Sequence, residues 1–428
     1  MNRVSARTLQ RLTLLALLVA AMVIRWQFVD FQSNDYRAFL DRWYAYLAEN
    51  GGFAALRDSS FSNYNTPYLA LLAITTYLPL PEIVAIKAIS VIFDVALAGF
   101  AYKIIGALRP TSRWLPTLAF GAVIMLPTVI MNSSVWAQCD AIYVTFCLGS
   151  AYFLIKKRPW LASAFFGIAF AFKLQAIFFL PVLVVVLIIN RHRLRTLLAA
   201  PVAFLACLTP ALIAGRSLLS QLSVYPAQIA TPSGAVGGGR PGGPGGGGGM
   251  PRVGGGGRGG GGFGVGDAVG YTHNAPTPYA WLPADASTTW KYAGLALAAA
   301  VALGFGIWLL TRRRRLSGVD ILLVAATATL VIPLLLPEMH ERYFFLAEVL
   351  TVLAAFVDRR FIAVAAGIQV ASISTYLSYL NNTSPLSLGV AAVLALGAGV
   401  LAALILVRRL RVRPEPALTP PQQEVAAG

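Results

Sequence analysis

The chain is 428 residues long; 57% of its residues are hydrophobic, 12% are charged, and its mean hydropathy is +0.69. These values exclude an ordinary soluble domain, whose apolar share is lower and whose charged share is higher. The formal net charge of +17 does not indicate nucleic-acid binding, because the basic residues form short clusters between apolar runs, as they do in cytoplasmic loops.

Repeated apolar runs of spanning length predict an all-α polytopic membrane protein with about twelve transmembrane helices, within a range of about 11–13. At about 1.5 Å per residue, most of these runs can cross a hydrocarbon core of roughly 30 Å. In chain order the predicted spans are 10–28, 83–107, 114–131, 137–155, 159–172, 174–190, 196–214, 290–311, 318–336, 343–357, 361–380 and 387–407.

The run from Tyr68 to Leu80 decides the predicted topology. It is bracketed by prolines and is only about 20 Å long as a helix, which is short for a span. Seven basic clusters contain 22 of the 34 Lys and Arg residues, and all of them face the cytoplasm only if this run does not cross. We therefore expect external interfacial helices in the first loop, both termini in the cytoplasm, and a location in the cytoplasmic (inner) membrane.

Composition divides the chain into four parts. Residues 1–214 contain seven predicted helices and the first external loop, and 290–413 contain the remaining helices. Between them, the external loop 215–289 includes the tract 234–266, in which 21 of 33 residues are glycine. This tract cannot bury enough apolar surface to offset its ordering entropy, so we expect it to be disordered, like the tail 414–428.

The first external loop carries the leading candidate for a catalytic residue. Asp35 follows the first predicted helix and is flanked by Asn34 and Tyr36, with Tyr64 further along the same loop. A solvated loop acid is the alternative to a catalytic role, and the aromatic run behind Asn34-Asp35-Tyr36 favours the catalytic role. Asp30, five residues upstream, is the alternative acid.

Two further polar motifs interrupt apolar runs at the predicted outer side. The fourth helix begins at a motif that contains Trp136, Gln138 and Asp140. In a functional role, the tryptophan is a platform for a sugar ring and the other two side chains hydrogen-bond its hydroxyls. In a structural role, the motif only starts the helix, with Asp140 in its first turn. Lys173 and Gln175 lie between two spans, where a charge is costly unless it faces protein, water or an anion. The alternative is that Lys173 has no substrate role and extends its ammonium group to the outer membrane interface.

The stretch from Pro337 to Tyr343 is the densest polar cluster in an apolar context. His340 and Glu341 begin a pattern like the zinc signature His-Glu-x-x-His, but position 344 is Phe, so no metal site is indicated. Arg342 is suited to a phosphate because its planar fork pairs two oxygens. Asp94 and Glu348 lie within spans, where packing or gating roles are as plausible as chemistry.

Taken in order, these motifs resemble those of a known family. They are the acid in the first loop, Tyr64-Asn65-Thr66-Pro67-Tyr68, Trp136-Ala137-Gln138-Cys139-Asp140, Lys173-Leu174-Gln175 and Met339-His340-Glu341-Arg342-Tyr343. The set resembles bacterial relatives of the second mannosyltransferase of GPI-anchor synthesis, which are GT-C glycosyltransferases. The chain departs from that family at Asn65-Thr66, where the family has Pro-Pro or Asp-Pro, and in its glycine-rich insertion.

The resemblance implies a GT-C-like module at 1–214, a polyprenyl-phosphate sugar donor and an extracytoplasmic site. Asp35 would be the general base, while Arg342, His340 and Lys173 would stabilise the leaving phosphate. The residues expected to bind the sugar or the acceptor are Asn34, Tyr36, Tyr64, Trp136, Gln138, Asp140, Gln175, Glu341 and Tyr343.

The expected partners are a polyprenyl-phosphate-linked hexose such as mannose, an acceptor that is a glycan, lipid or protein, and the bilayer. No cofactor is required by this scheme; a divalent metal is possible but not indicated. The alternative function is a transporter or flippase of lipid-linked glycans, which also needs basic residues facing phosphate. Transporters place such residues near mid-membrane and often contain internal repeats, whereas here the polar groups gather at one side.

Overall fold

A computed structural model describes residues 5–230, 271–283, 286–311 and 315–411. The predicted disordered tract 234–266 and the tail 414–428 lie outside the described residues, as does most of the basic cluster Arg312–Arg315. The described chain is predominantly helical, in agreement with the predicted fold class.

The first half of the chain forms thirteen α-helices within the described residues. They are α1 (Ala6–Trp26), α2 (Asp41–Glu49), α3 (Thr66–Thr75), α4 (Glu82–Leu108), α5 (Leu115–Ile124), α6 (Pro127–Ile130), α7 (Asp140–Ile155), α8 (Pro159–Phe172), α9 (Leu180–Ile189), α10 (Ala199–Cys207), α11 (Thr209–Ile213), α12 (Leu218–Leu222) and α13 (Val224–Ala230). Proline occupies the first turn of several of them, where its missing N–H costs nothing.

The second half continues with α14 (Thr289–Thr311), α15 (Gly318–Leu335), α16 (Phe345–Ala355), α17 (Phe361–Asn381) and α18 (Leu388–Arg411). A capping box between Ser317 and Asp320 starts α15. The helical class has one small exception: strand β1 (Thr272–His273) pairs in parallel with strand β2 (Met339–His340). This pairing attaches the returning end of the long loop to the polar stretch that follows α15.

The prediction of about twelve spans is not confirmed. Within the described residues, six helices are long and apolar enough to cross a membrane, or seven if the bent pair formed by α5 and 127–135 counts as one span. Five other apolar stretches form helices of only 10–17 residues, and these correspond to predicted spans or to the Tyr68–Leu80 run. The apolar sequence continues across these sites, but the backbone breaks into short α and 3₁₀ segments.

Two apolar clusters form the core. The larger one joins α4, α5, α7, α8, α9 and α15–α18, and the smaller one lies beneath the first loop around α2 and α3. A short π-helical turn (Tyr36–Leu40) precedes α2. The first loop is therefore a packed element and not a free connection, which allows it to hold a side chain in a fixed position.

Asp94 has a structural role in this fold. It is fully buried, and its Oδ2 accepts hydrogen bonds from Arg25 Nη2 (2.8 Å) and from Ser133 Oγ (2.6 Å). The ion pair ties α1 to α4, and the hydrogen bond from Ser133 ties α4 to the segment before Trp136.

Candidate functional site

The loop bearing Asp35 is anchored against the segment that contains Trp136. Ser33 Oγ accepts a hydrogen bond from the backbone N–H of Tyr36 (3.1 Å) and donates one to the carbonyl oxygen of Trp136 (2.7 Å). Two side chains that are 101 residues apart in sequence can therefore meet: Trp136 Nε1 donates to Asp35 Oδ2 over 2.9 Å.

The carboxylate of Asp35 is the point where the predicted motifs converge. Besides Trp136, its Oδ2 accepts hydrogen bonds from Gln138 Nε2 (2.5 Å) and Arg342 Nη1 (2.9 Å). Its Oδ1 accepts one from the hydroxyl of Tyr379 (2.5 Å). The Asp35 side chain is 16% exposed, so water or an acceptor can still reach it.

Sequence reasoning missed Tyr379. It lies near the end of α17, in a run whose only unusual signal is the pair of tyrosines at 376 and 379, three residues apart and so on one helix face. The ring of Tyr379 stacks on Trp136 with centroids 4.6 Å apart, while Tyr376 meets the same indole edge-on at 5.2 Å.

Trp136 therefore has a different environment from the one expected of a sugar platform. Its side chain has no exposed surface, and the guanidinium of Arg342 lies 5.6 Å from the ring centroid. With Tyr379 stacked on the indole, no face is open to a sugar ring in this structure. The indole instead donates a hydrogen bond to Asp35.

Asp140 and Lys173 form a buried ion pair with each other. The ammonium of Lys173 contacts Asp140 Oδ1, and Asn132 Nδ2 donates to Asp140 Oδ2 over 2.8 Å. Both charged residues are more than nine-tenths buried. The lysine expected to meet phosphate and the acid expected to bind a sugar thus satisfy each other, and either role requires this pair to open.

The stretch predicted to bind phosphate is shaped by the β1–β2 pairing. His340 in β2 stacks on His273 in β1, with ring centroids 4.7 Å apart. Burial lowers the pKa of His340 well below its usual range, and the neighbouring positive charges of Arg342 and Lys173 lower it further. The imidazole is consequently neutral at pH 7 and can offer a phosphate a hydrogen bond but no full charge.

Arg342 is the permanent cation of the site. Burial acts to lower its pKa, but the carboxylates of Asp35 and Asp140 outweigh burial and hold it well above the usual range. Its Nη1 is used by Asp35, whereas its Nε is buried with no hydrogen-bond partner among the described residues. The guanidinium therefore keeps an unused donor.

Glu341 and Tyr343 flank that arginine. Burial raises the pKa of Glu341 to about 7, against the opposing effect of Arg342. The side chain of Tyr343 adjoins that of Gln175. Gln175 is thereby placed beside the predicted phosphate stretch, and its Oε1 is buried without a partner among the described residues.

The other predicted residues of the first loop do not contact Asp35 through hydrogen bonds within the described chain. Tyr36 is buried and donates to Glu82 Oε1 over 2.8 Å, and the hydroxyl of Tyr64 bonds with Cys139 Sγ over 3.0 Å. Asn34 is exposed. These three side chains face the loop core or solvent. Of the two substrates, only an acceptor that extends to the first loop could contact them.

Asp30, the alternative acid, is exposed and forms no hydrogen bond with any of the described residues. Nearby, Lys87 Nζ donates to the backbone carbonyl oxygens of Phe28 (2.7 Å), Val29 (3.0 Å) and Phe31 (2.6 Å), which fixes the start of the loop. Of the two acids, Asp35 is the one that the fold brings to Trp136, Gln138 and Arg342.

Among the described residues, no group of three or more His, Cys, Asp or Glu side chains could hold a metal ion.

Comparison with known proteins adds one match. The model of glycosyltransferase family 87 matches residues 61–232, about two fifths of the chain. The matched region includes Trp136, Gln138, Asp140 and Lys173 but neither Asp35 nor Arg342. A search of curated proteins finds no match. The family match supports glycosyltransferase activity, and the long apolar helices support a membrane protein.

Proposed function

We propose that this protein transfers a hexose, such as mannose, from a polyprenyl-phosphate carrier to an acceptor hydroxyl, with inversion at the anomeric carbon. The observation that carries the proposal is the convergence of Trp136, Gln138, Arg342 and Tyr379 on the carboxylate of Asp35. A carboxylate held by four donors and still partly open to solvent is suited to act on a substrate in one fixed orientation. The match to glycosyltransferase family 87 supports a sugar as the group transferred.

Asp35 is the general base in this proposal. Three donors occupy Oδ2 and one occupies Oδ1, so Oδ1 retains a lone pair that can accept a proton. As the acceptor oxygen attacks the anomeric carbon, its proton passes to Asp35 and the bond from that carbon to the phosphate oxygen breaks. The carrier leaves as polyprenyl phosphate with the electron pair of the broken bond.

Arg342 links the base to the leaving group. One arm of its guanidinium holds Asp35, and the unused Nε donor and the remaining N–H groups are available to phosphate. Charge that develops on the leaving phosphate is stabilised by this cation and by a hydrogen bond from neutral His340. Lys173 joins them when the incoming phosphate draws it away from Asp140, which is then free to bind a sugar hydroxyl.

The site faces the outside of the cytoplasmic membrane in this proposal, as the GT-C-like arrangement implies. The acceptor is a glycan, lipid or protein hydroxyl that enters between the first loop and the stretch from Pro337 to Tyr343. In this proposal Gln175, Glu341 and Tyr343 bind the substrate on the phosphate side, and Asn34 and Tyr64 bind it on the side of the first loop.

The test is a transfer assay with purified protein in nanodiscs. The donor is labelled polyprenyl-phosphate mannose or glucose, a membrane lipid extract supplies acceptors, and released polyprenyl phosphate is measured by mass spectrometry. Asp35→Asn should reduce the rate by about 100- to 10,000-fold, because the amide cannot take a proton, while donor binding persists.

Asp30→Asn is the matched control on the same loop and should retain transfer. Loss of transfer in Asp30→Asn with retention in Asp35→Asn would show that Asp30 is the base. If the wild-type protein moves labelled carrier across the bilayer and forms no covalent product, it is a transporter and the proposal fails.

A further inference from the structure

The two short helices α12 and α13, which begin the predicted external loop 215–289, carry apolar side chains on their outer face. Leu219 is 79% exposed and Ile229 is 71% exposed. Leu218 and Leu222, which lie on the same face of α12 as Leu219, are also exposed. Residues 217–230 contain no charged side chain. An exposed apolar face of this kind is typical of a surface that contacts lipid or another protein.

The glutamines of the same two helices point into the protein. Gln221 is 5% exposed, and its Oε1 accepts a hydrogen bond from Thr66 Oγ1 over 2.5 Å. Gln228 Nε2 donates to the backbone carbonyl oxygen of Asn63 over 2.8 Å. Val224 also packs inwards. A helix at a protein–water surface has its apolar stripe inside and its polar residues outside, whereas here the leucines are outside and the glutamines inside.

The apolar outer face continues the surface of the helices that precede it. Along α10 and α11, which form the predicted span 196–214, apolar side chains are exposed as well, among them Val202 (67%) and Ile213 (86%). Only residues 214–217 separate α11 from α12. In a membrane protein the bilayer covers such a surface on a spanning segment, and the same bilayer is the nearest apolar medium for the leucines of α12.

The length and the polar ends of these helices place them at the membrane surface. With five and seven residues, α12 and α13 are far too short to span a bilayer. Ser217 and Ser223, which flank α12, are both exposed. Exposed hydroxyl groups and helix ends are satisfied by water and lipid headgroups but not among acyl chains. The helices therefore suit the headgroup level, with their apolar side chains reaching into the acyl region.

We propose that α12 and α13 form an interfacial anchor whose partner is the lipid leaflet on the side of the Asp35 site. The exposed leucines of α12 and Ile229 insert among the acyl chains, and the inner face of the anchor is attached to the site. The hydroxyl of Tyr225 donates to the carbonyl oxygen of Phe170, three residues before Lys173. The anchor is thus a wall between the lipid and the candidate site. This inference does not depend on sugar transfer and is tested without it.

The experiment measures what surrounds a nitroxide spin label on the full-length protein in phospholipid nanodiscs. Collision rates are determined by electron paramagnetic resonance with oxygen, which concentrates among acyl chains, and with a neutral nickel chelate, which stays in water. Leu219→Cys and Ile229→Cys are the test sites. Val202→Cys on α10 is the lipid control, and Thr383→Cys, exposed between α17 and α18, is the water control. Wild-type protein treated with the label gives the background from the three native cysteines.

The labels at 219 and 229 should meet oxygen as often as the label at 202 does, and nickel several-fold less often than the label at 383. Nickel access at either test site equal to that at 383 would overturn the proposal. Low access to both reagents would also overturn it, because protein, such as the glycine-rich tract or a second copy of the chain, would then cover the face.

A measurement without a label uses charge. Leu219→Glu places a carboxylate at the acyl region and should lower the thermal unfolding midpoint in nanodiscs, whereas Thr383→Glu should leave it unchanged. Equal midpoints for Leu219→Glu and the wild type would contradict insertion of α12 into the leaflet.

Discussion

Replacing Tyr379 by phenylalanine removes one oxygen atom from the site and leaves the ring. In the native protein that oxygen donates to Asp35 Oδ1 over 2.5 Å, and the ring stacks on Trp136 at an interplanar angle of 20°. The variant therefore separates the orientation of the carboxylate from the packing of the indole. Among the described residues, Tyr379 is the sole side-chain donor to Oδ1, so no neighbour replaces it.

The size of the effect follows from the loss of one hydrogen bond to a charged group, which contributes about 1.5–3 kcal/mol. Since each 1.36 kcal/mol corresponds to about tenfold in rate, kcat/KM should fall roughly 10- to 150-fold. The loss should appear mainly in kcat, because Tyr379 holds the base and does not contact the predicted phosphate ligands through hydrogen bonds within the described chain.

The assay is the release of polyprenyl phosphate under donor-limited and donor-saturated conditions. Tyr46→Phe is the matched control, since its hydroxyl donates to Asp58 over the same 2.5 Å outside the site. Tyr46→Phe should keep wild-type turnover. Wild-type kcat/KM in folded Tyr379→Phe would refute the idea that Asp35 must be oriented through Oδ1, and an equal loss in both variants would show a general effect on folding.

Three further predictions follow from the ion pairs and the buried acid. Arg342→Lys keeps the charge but not the planar fork, so the donor KM should rise by the equivalent of about 1–3 kcal/mol; an unchanged KM would indicate that Arg342 serves only to pair with Asp35. Arg25→Met leaves Asp94 buried without its cation and should lower the free energy of unfolding by about 3–5 kcal/mol, measured by denaturant titration in detergent. The double variant Arg25→Met/Asp94→Leu should recover most of that loss, and no recovery would contradict the ion-pair explanation. Burial raises the pKa of Glu341 from 4.5 to about 7, so folding favours its protonated form, and the free energy of unfolding should fall by about 3 kcal/mol as pH rises through that interval. The free energy of unfolding of Glu341→Gln should depend less on pH. If the variant keeps the wild-type pH profile, Glu341 is not the source of the dependence.

Two kinds of signal identified the candidate residues: the polar, aromatic-rich loop around Asp35, and polar side chains beside apolar runs elsewhere in the chain. Placing Gln138 or Arg342 beside an apolar run costs free energy unless a partner exists, so these residues stand out against the surrounding apolar side chains. The predicted proximity of Asp35, Gln138 and Arg342 relied on all of them lying at the same side of the membrane. The fold does bring these three side chains into direct contact.

What the sequence could not supply was the identity of each partner. The sequence is compatible with either a phosphate or a carboxylate beside Lys173, and only the packing of α7 against α8 shows that Asp140 is its partner here. Tyr379 lies in a helix where a tyrosine carries little cost, and its spacing of three residues from Tyr376 was the only local signal. The twelve predicted spans are not confirmed for a related reason: hydropathy reports apolar composition and does not show where a backbone breaks.

The four residues that hold Asp35 come from widely separated parts of the chain, and Tyr379 follows it by 344 residues. At a synthesis rate of about 5–20 residues per second, roughly 20–70 s pass between the emergence of Asp35 from the ribosome and that of its last partner. Throughout this interval the aspartate has been made but at least one of its four partners has not, so a nascent or prematurely terminated chain carries no complete site. The placement of the final partner in α17 thus makes synthesis through this helix a condition for activity, and fragments ending before α17 should accumulate in the membrane without consuming carrier-linked sugar.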